Sequence, residues 1–224
     1  MTQTWLYRIQ MLLHRAAARL SYGVTNYRHP QRRDLFRHVS ETAGRIGSGG
    51  TTPLEWMTLF QIVASCEKIP GDMAEAGVFR GATAALMLSA STKRLHLFDT
   101  FEGLPESENQ FAKGEWKGAE AVVRANLSRW GNRVEFHPGF FPESTTGLDD
   151  LRFSFVHLDL DLYQSTRDAI NWFWLRLNPD GILLSHDYPL SEGVVRAFRE
   201  HFDHLDNPVI PLSGNQCIVV KDRN

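Results

Sequence analysis

The sequence predicts an α/β fold in which helices cover both faces of a mostly parallel sheet. From residue 71 onward, short apolar segments of strand length alternate with longer helical segments, which is the pattern of such a fold. Short turn sequences, such as Asn-Pro-Asp-Gly at 178–181, fit the joints between these elements. A chain of 224 residues with 42% hydrophobic side chains is long enough for one sizeable domain with its own core.

The N-terminal region predicts a basic amphipathic helix. Apolar side chains recur at helical spacing over residues 5–20, and residues 1–38 hold seven arginines against one acid. Such a helix can lie on a membrane surface, but more often it packs against its own domain or a partner subunit. A flexible joint follows at 45–53. We therefore expect residues 1–50 to form a helical extension, acting as a lid or an oligomer contact, and residues 51–224 to form the main domain.

Local signals predict the elements of the main domain. Thr-Pro-Leu-Glu at 52–55 has the form of a capping box with proline at the first helical position, so we expect a helix from there to about Lys68. Apolar strands are expected at 72–76, 95–99, 133–137, 153–158, 181–186 and 216–221. Helices are expected between most of these strands, at 81–91, 117–130, 164–176 and 192–203.

Composition excludes several classes of protein. The net charge of -2 gives no general case for nucleic-acid binding, and no apolar run reaches the roughly 18–20 residues that span a bilayer. Arg8, His14 and Arg15 interrupt the apolar pattern near the N-terminus, which makes that stretch a poor secretory signal. Cys66 and Cys217 form neither a disulfide framework nor a metal motif. We expect a cytoplasmic protein with no nucleic-acid partner and no stable membrane insertion.

The loop after the first strand has the chemistry of a site for an adenosine-containing ligand. Glu75, Gly77 and Gly81 lie where a strand gives way to a helix, and glycines there let a ligand approach the helix N–H groups. Asp99 ends the next strand, where an acid can accept hydrogen bonds from ribose hydroxyls. Phe79 replaces the middle glycine of the dinucleotide fingerprint, and Glu75 suits a sulfonium better than a pyrophosphate. The sequence therefore favours S-adenosylmethionine over NAD.

The ends of the fourth and fifth strands are acidic. Asp159 and Asp161 share one face of the chain after the fourth strand, and His186 and Asp187 end the fifth. Because ligands bind beyond the carboxyl ends of parallel strands, we expect these side chains to converge beside the first loop. Oxygen and imidazole ligands suit a divalent cation, most simply Mg²⁺ with waters completing the octahedron. His157, one step deeper, is expected to be a core histidine rather than a ligand.

Several segments of the chain resemble the macrocin O-methyltransferase family, S-adenosylmethionine-dependent enzymes that act on natural-product sugars. The segments are EAGVFRGATAALM, LFDTFEGLP, HPGFFPES, HLDLDLYQST, and LLSHDY followed by EGVVRAF. The resemblance spans roughly residues 53–221. It implies the Rossmann-like class I methyltransferase fold, with a seven-stranded, mostly parallel sheet, and a Mg²⁺ site.

The resemblance also implies roles for individual residues. Asp161 would be the general base, and Asp159 and Asp187 would bind the metal, with His186 as a further candidate ligand. The cofactor would be held by residues from the first two strand ends: Glu75, Gly77, Gly81, Asp99, Phe101, Glu102 and Gly103. One position departs from the family pattern. Characterised sugar methyltransferases tend to have two acids before the tyrosine, whereas this chain has His186-Asp187-Tyr188, which removes a negative charge and weakens the case for Mg²⁺.

Together, these features predict an S-adenosylmethionine-dependent O-methyltransferase that methylates a hydroxyl of a small molecule, such as a sugar or a glycosylated natural product, with help from a divalent cation. Two other functions stay open from the residues alone. One is an NAD(P)-dependent oxidoreductase, disfavoured because the dinucleotide fingerprint and the tyrosine–lysine catalytic pair are missing. The other is a non-catalytic module that binds an adenosine ligand. A homo-oligomer is expected, because the N-terminal helix has an apolar stripe of its own.

Overall fold

The computed structural model describes residues 30–47 and 49–223. The basic helix predicted at 5–20 lies outside these residues. The α-helices are α1 (Pro30–Ile46), α2 (Pro53–Ser65), α3 (Ala82–Ala90), α4 (Glu120–Leu127), α5 (Tyr163–Trp174) and α6 (Glu192–Phe202). The strands are β1 (Asp72–Ala76), β2 (Leu95–Asp99), β3 (Val134–Pro138), β4 (Phe153–Leu158), β5 (Leu177–Ser185), β6 (Ile210–Pro211) and β7 (Cys217–Val220).

The strands form one seven-stranded sheet in the order β3-β2-β1-β4-β5-β7-β6. Strands β1 to β5 are parallel, and β7 pairs antiparallel with both β5 and β6. Strands β2 and β3 are added on one side of β1, and β4 and β5 on the other. This switch in strand order places the carboxyl ends of β1, β2, β4 and β5 around one crevice. The predicted mostly parallel sheet is confirmed, and this crevice is where a ligand is expected.

Helices cover the two faces of the sheet unequally. One face packs against α1 to α4, and its core includes Val39, Leu59, Leu86 and Val123, all essentially inaccessible to water. The other face packs against α5 and α6, where Phe98, Phe153, Phe173 and Phe198 are equally buried. Helix α3 is apolar all round and lies entirely within the first layer, as expected of a helix with no solvent face.

The capping box predicted at the start of α2 is present. The Thr52 N–H donates to Glu55 Oε2 over 2.7 Å, and the Glu55 N–H donates to Thr52 Oγ1 over 3.4 Å. These bonds give partners to the backbone N–H groups of Thr52 and Glu55, which would otherwise have none at the start of the helix. Pro53 occupies the first helical position. The α-helix ends at Ser65, and a short 3₁₀ turn continues to Lys68.

Helix α1 belongs to the core although the sequence placed it in an extension. Val39 and Ala43 are fully buried against α2 and α3. The chain then passes Gly47 and Gly49, which line the crevice at the strand ends. The part of the N-terminal region that packs into the core therefore includes Val39 and Ala43.

The prediction that 178–181 forms a joint between elements was wrong. The segment lies inside β5, where the register between β4 and β5 shifts after Phe153 pairs with Leu177. Asp180 has a left-handed backbone with φ 65°, and its N–H donates to Lys221 O over 2.9 Å. The Pro-Asp-Gly sequence thus makes an irregularity within a strand. The same residue types favour turns in loops, so the sequence alone does not distinguish the two cases. None of the helices among the described residues could cross a bilayer.

Candidate active site

One cavity opens at the carboxyl ends of β1, β2, β4 and β5. Seven of the residues predicted for the site line it: Gly77, Asp99, Gly103, Asp159, Asp161, His186 and Asp187. Glu75, Gly81, Phe101 and Glu102 lie behind or beside the wall that the described residues form. The sequence therefore located the cavity correctly, and the structure divides the predicted cofactor residues into those that face it and those that shape it.

Gly77 joins the two halves of the cavity. Its backbone has φ +85°, and a Cβ added there would lie 1.8 Å from the carbonyl oxygen of Asp159. Backbone bonds fix this approach, because Asp159 N–H donates to Ala76 O over 2.9 Å and Gly77 N–H donates to Phe98 O over 3.0 Å. Only glycine fits this position. The loop after β1 and the end of β4 thus form one continuous wall.

Asp99 braces the loops on both sides of β2. Its Oδ2 accepts the N–H groups of Val78 at 2.7 Å and Phe79 at 3.1 Å, and its Oδ1 accepts the N–H of Phe101 at 2.7 Å. A carboxylate has about four acceptor positions, so three are already used by the backbone. Phe101, with φ 57° and a buried ring, is held in a left-handed turn by this bond. Asp99 is in this way the structural centre of the predicted cofactor loops.

Glu75 is buried under the cavity floor rather than exposed to it. Neither its side chain nor that of His157 is accessible to water, and His157 Nδ1 lies 2.9 Å from Glu75 Oε1. Burial raises the pKa of Glu75, while the hydrogen bond from His157 opposes the rise. The pair spans neighbouring strands, since Glu75 and His157 are opposite each other in the β1–β4 ladder. Glu75 therefore orders the sheet beneath the first loop.

The other two predicted cofactor residues have local roles. Gly81 precedes the first residue of α3 with φ +84°, and a Cβ there would approach Val123 of α4 to 3.2 Å. Glu102 is largely exposed and forms an ion pair with Lys117. That pair links the loop after β2 to the segment before α4, which closes one side of the cavity.

The acidic strand ends meet in what we call the acidic cluster, formed by Glu55, Asp159, Asp161, His186 and Asp187. His186 lies at its centre. Its Nδ1 is 3.2 Å from Asp159 Oδ1 and 3.1 Å from Asp187 Oδ1, and its Nε2 is 3.7 Å from Glu55 Oε1. A single buried imidazole thus faces three carboxylates from α2, β4 and β5.

The excess of carboxylates determines the protonation of the acidic cluster. Burial alone would lower the pKa of His186, but the charges of Asp187 and Asp159 raise it well above its ordinary value. Burial would raise the pKa of Asp187, yet His186 lowers it to about 2. The raised pKa of His186 and the lowered pKa of Asp187 favour an imidazolium beside an ionised Asp187, whereas burial raises the pKa of Asp159 despite the nearby His186. The imidazolium supplies the positive charge that a buried carboxylate needs.

Asp161 has the most strongly raised pKa among the aspartates of the acidic cluster. Burial first, and then the charges of Asp187 and Asp159, raise the pKa of Asp161 well above its ordinary value. Its backbone is left-handed with φ 61°, and its carbonyl accepts the Ser191 hydroxyl at 2.9 Å. This unfavourable backbone turns the carboxyl group into the cavity. A cavity-lining carboxyl group with a raised pKa is suited to accepting a proton near neutral pH.

The donor set gives a mixed answer on the predicted Mg²⁺. One atom each from Asp159, His186 and Asp187 lies within 4.8 Å of the other two, as a bound cation would require. Mg²⁺ prefers an all-oxygen octahedron, however, and an imidazole nitrogen suits transition metals better. His186 Nε2 is buried with no hydrogen-bond partner among the described residues. The set therefore fits a divalent cation that accepts nitrogen better than it fits Mg²⁺.

Aromatic side chains that the sequence did not single out form the rest of the wall. Phe79, Phe111, Trp116, Phe140 and Phe141 all line the cavity. Phe79 and Trp116 meet edge to face, with ring centroids 5.6 Å apart. Phe111 and Trp116 come from the segment 106–118, which reaches the cavity with these two side chains while most of its other residues are exposed. Glu108 anchors that segment, because its carboxylate accepts the N–H of Tyr163 at the start of α5.

Glu55 is the acidic-cluster residue that the sequence did not predict. Its Oε2 closes the capping box, and its Oε1 accepts the Asn215 N–H at 2.9 Å. Burial acts to raise the pKa of Glu55, but the nearby His186 and its charge, together with the hydrogen bonds from Asn215 and Thr52, outweigh burial and lower that pKa. The capping motif was the visible signal. It gave no indication that the same carboxylate would face a strand end far away along the chain.

The strand order, with β7 antiparallel beside β5, and a glycine loop and acidic strand ends around one crevice define a class I methyltransferase. The model of the macrocin O-methyltransferase (TylF) family matches residues 50–215. The chain belongs to this family.

Individual relatives and solved structures are consistent with this assignment. The chain is 31% identical over 168 residues to the 8-demethyl-8-(2,3-dimethoxy-alpha-L-rhamnosyl)-tetracenomycin-C 4'-O-methyltransferase of Streptomyces olivaceus, a match that covers 65% of this chain and 64% of that protein. The O-methyltransferase NovP superposes with a TM-score of 0.70 at 20% identity, covering 84% of this chain and 98% of NovP. An O-methyltransferase from Bacillus cereus in complex with SAH gives 0.60 at 14% identity, covering 94% and 100%.

Proposed function

We propose that the protein transfers a methyl group from S-adenosylmethionine to a hydroxyl of a small glycosylated molecule. Membership of the macrocin O-methyltransferase family supports the reaction type. The relative from Streptomyces olivaceus is named as a 4'-O-methyltransferase of a rhamnosyl compound, which supports a sugar hydroxyl as the acceptor. The observation that carries the proposal is the position of Asp161, which is a buried carboxyl group with a raised pKa in the wall of the cavity.

Asp161 acts as the general base in this proposal. S-adenosylmethionine supplies an electrophilic methyl group whose bond to sulfur breaks as the acceptor oxygen takes the methyl, leaving S-adenosylhomocysteine. Asp161 receives the hydroxyl proton, so it must be ionised before the step and protonated after it. Its raised pKa makes it a stronger base than an ordinary aspartate. A hydrogen bond from the Asp161 carboxyl group to Asp187 stabilises the protonated form of Asp161, which is the form that follows the step.

Asp159, His186 and Asp187 hold a divalent cation in the same proposal, with Mn²⁺ or Zn²⁺ preferred over the Mg²⁺ that the family resemblance implied. A divalent cation there would lower the pKa of a bound hydroxyl. His186 must lose its proton to act as a ligand, so the affinity for the cation should rise with pH. The charges of Asp187 and Asp159 raise the pKa of His186 and so oppose the loss of that proton.

The cofactor half of the cavity is assigned to the loops after β1 and β2. Gly77, Asp99 and Gly103 line it and would contact the cofactor directly. Glu75, Gly81, Phe101 and Glu102 are proposed to act through the shape of these loops, given their positions behind or beside the wall. The one acceptor position that Asp99 has left is available for a ribose hydroxyl.

Calorimetric titration of the purified protein with S-adenosylhomocysteine and with NAD tests the cofactor assignment. We expect S-adenosylhomocysteine to bind, and Asp99→Ala to weaken its binding by about 2–3 kcal/mol because the loops lose their brace and the ribose its acceptor. Gln164→Ala is a matched control, since Gln164 bonds only Asp168 on the surface of α5. NAD binding tighter than S-adenosylhomocysteine would overturn the proposal in favour of an oxidoreductase.

Turnover is tested with rhamnosylated acceptors, following release of S-adenosylhomocysteine and the mass of the product. Methyl transfer replaces a hydroxyl hydrogen by a methyl group, so the mass of the sugar should increase by about 14 units, one CH₂ group. Binding of the cofactor without methylation of any hydroxylated acceptor would instead favour a non-catalytic adenosine-ligand module.

A further inference from the structure

A second group of histidine and carboxylate side chains lies outside the cavity, at the edge of the sheet. We call it the edge cluster, and it consists of Asp72, His96, Glu135 and His137. His96 on β2 lies directly opposite Glu135 on the edge strand β3. All four side chains project from the face of the sheet that packs against α5. His96 is buried, while Asp72 and Glu135 are each about two-fifths exposed, at 37% and 40%.

We propose that the edge cluster is a binding site for a transition-metal cation, Zn²⁺ in particular, with His96, Glu135 and His137 as ligands. His96 Nδ1 lies 3.0 Å from His137 Nε2 and 3.7 Å from Glu135 Oε2. One atom from each of the three lies within 4.8 Å of the other two. Two nitrogen ligands at the usual zinc distance in a tetrahedron are about 3.3 Å apart, which these separations bracket.

Asp72 determines which nitrogen of His96 is available. Asp72 Oδ2 lies 3.2 Å from His96 Nε2. A carboxylate at that distance holds the ring proton on Nε2 and leaves the lone pair on Nδ1, the atom that faces His137 and Glu135. A carboxylate behind a ligating histidine is the arrangement that orients such ligands in zinc sites. The edge cluster therefore contains both the ligands and the residue that fixes the tautomer of one of them.

The carboxylate of Glu135 is also prepared for this role. Its Oε1 forms an ion pair with Arg94, and its Oε2 faces His96. Arg94 thus restrains the side chain of an edge strand that would otherwise be mobile in water. One possible ligand atom from each of His96, Glu135 and His137 therefore lies within 4.8 Å of the other two. Such a convergence needs a proton or a cation to be stable.

The two rings of the edge cluster can share either a cation or a proton. His96 Nδ1 and His137 Nε2 lie 3.0 Å apart, a separation that a hydrogen bond between the two rings also gives. Neutral imidazole is the form that binds metal, so a bound cation would replace that hydrogen bond.

A cation at the edge cluster would have a structural effect. It would join the edge strand β3 to β2, in a region where Val134, Phe136 and the rest of β3 are only partly buried. The chain after β3 continues into Gly139, Phe140 and Phe141, which line the cavity. Three protein ligands leave one tetrahedral position for water. We therefore expect the thermal stability of the protein to increase as the concentration of free Zn²⁺ rises above its dissociation constant.

Calorimetric titration of the full chain with Zn²⁺ tests this site. His137→Gln should weaken one binding event at least 100-fold, and Asp72→Asn should weaken it 10- to 100-fold through loss of the orienting carboxylate. His204→Gln is the matched control, because His204 is an exposed histidine outside both clusters. Asp187→Asn should leave this event intact, which separates it from any Zn²⁺ bound by the acidic cluster. A rise in Tm with Zn²⁺ should be lost in His137→Gln.

Equal Zn²⁺ stoichiometry and affinity in the wild type and His137→Gln would overturn the proposal and leave the ring-to-ring hydrogen bond as the whole explanation of the edge cluster. Circular dichroism establishes that the variant is folded. If it is not, Glu135→Gln on the same edge strand provides the measurement, because its side chain is partly exposed. It must then weaken the same event at least tenfold for the proposal to stand.

Discussion

The acidic cluster and the edge cluster contain the same kinds of side chain, but the pKa of a histidine shifts in opposite directions in the two. In the acidic cluster, one imidazole faces several buried carboxylates, and their charges raise the pKa of His186. In the edge cluster, two imidazoles share two partly exposed carboxylates, and burial together with the second ring lowers the pKa of His137. The number and burial of the carboxylates, rather than the presence of histidine, decide whether such a cluster holds a proton or is free to bind a metal.

The largest expected effect is on catalysis and distinguishes the acidic cluster. Asp161→Asn keeps the shape of the side chain but cannot accept a proton, so turnover should fall by about 10²–10⁴-fold. Asp72→Asn makes the same change in the edge cluster and should leave turnover unchanged. Initial rates of S-adenosylhomocysteine release with a methylatable acceptor measure both. A near-normal rate for Asp161→Asn would remove it as the base, and we would then assign the base to another residue of the acidic cluster.

The second effect is on stability and compares one substitution at two places. His186→Gln leaves buried carboxylates without their imidazolium, which should cost about 3–5 kcal/mol of unfolding free energy at neutral pH. His96→Gln removes the contacts with His137 and the partly exposed Asp72 and should cost about 1–2 kcal/mol. Urea unfolding of both variants in a metal-free buffer gives the two values. Equal costs would mean that His186 is not an imidazolium in the folded protein.

The third effect is the direction in which stability changes with pH. The pKa of His186 is raised on folding, so its contribution is complete below about 6.5 and is lost as pH rises through the folded pKa. The pKa of His137 is lowered, so its contribution to stability increases as pH rises from its folded pKa toward about 6.5. The difference in unfolding free energy between wild type and each Gln variant, measured from pH 5 to pH 9, isolates these contributions. The same sign of slope for both histidines would contradict the comparison.

The smallest effect is on the choice of metal in the acidic cluster. His186→Asp replaces the imidazole with a carboxylate, which restores an all-oxygen set and removes competition by the imidazole proton. We expect Mg²⁺ affinity to increase by about tenfold, one extra carboxylate being worth on the order of 1–2 kcal/mol. Titration with Mg²⁺ and Mn²⁺ in the wild type and the variant measures the change. An unchanged preference would mean that His186 does not select the cation.

The sequence predicted the sheet and the location of the cavity because both depend on local patterns. Alternating apolar segments located β1 to β5, and glycine and aspartate at the strand ends located the crevice. Strand β6 was missed because Ile210–Pro211 is too short to show any period. Helix α1 was missed as part of the core because the burial of Val39 and Ala43 depends on α2 and α3.

The charges of the site were harder to predict than its residues. Sequence placed Asp159, Asp161, His186 and Asp187 together, but it could not show that Glu55 approaches His186 from another element. That contact joins positions far apart in the chain, and it contributes to the protonation of the whole acidic cluster. Glu75 shows the opposite case, since its position at the end of β1 suggested a ligand contact. Its orientation toward His157 depends on the register of β1 against β4.

The contact between Gly77 and the carbonyl of Asp159 has a consequence for protein engineering. A methyl group at residue 77 would overlap the backbone of Asp159, so a substitution at this one position would displace part of the acidic cluster. A library that varies the loop after β1 should therefore keep Gly77. Trp116 and Phe140 line the same cavity without this backbone contact, so they are better positions at which to vary its shape.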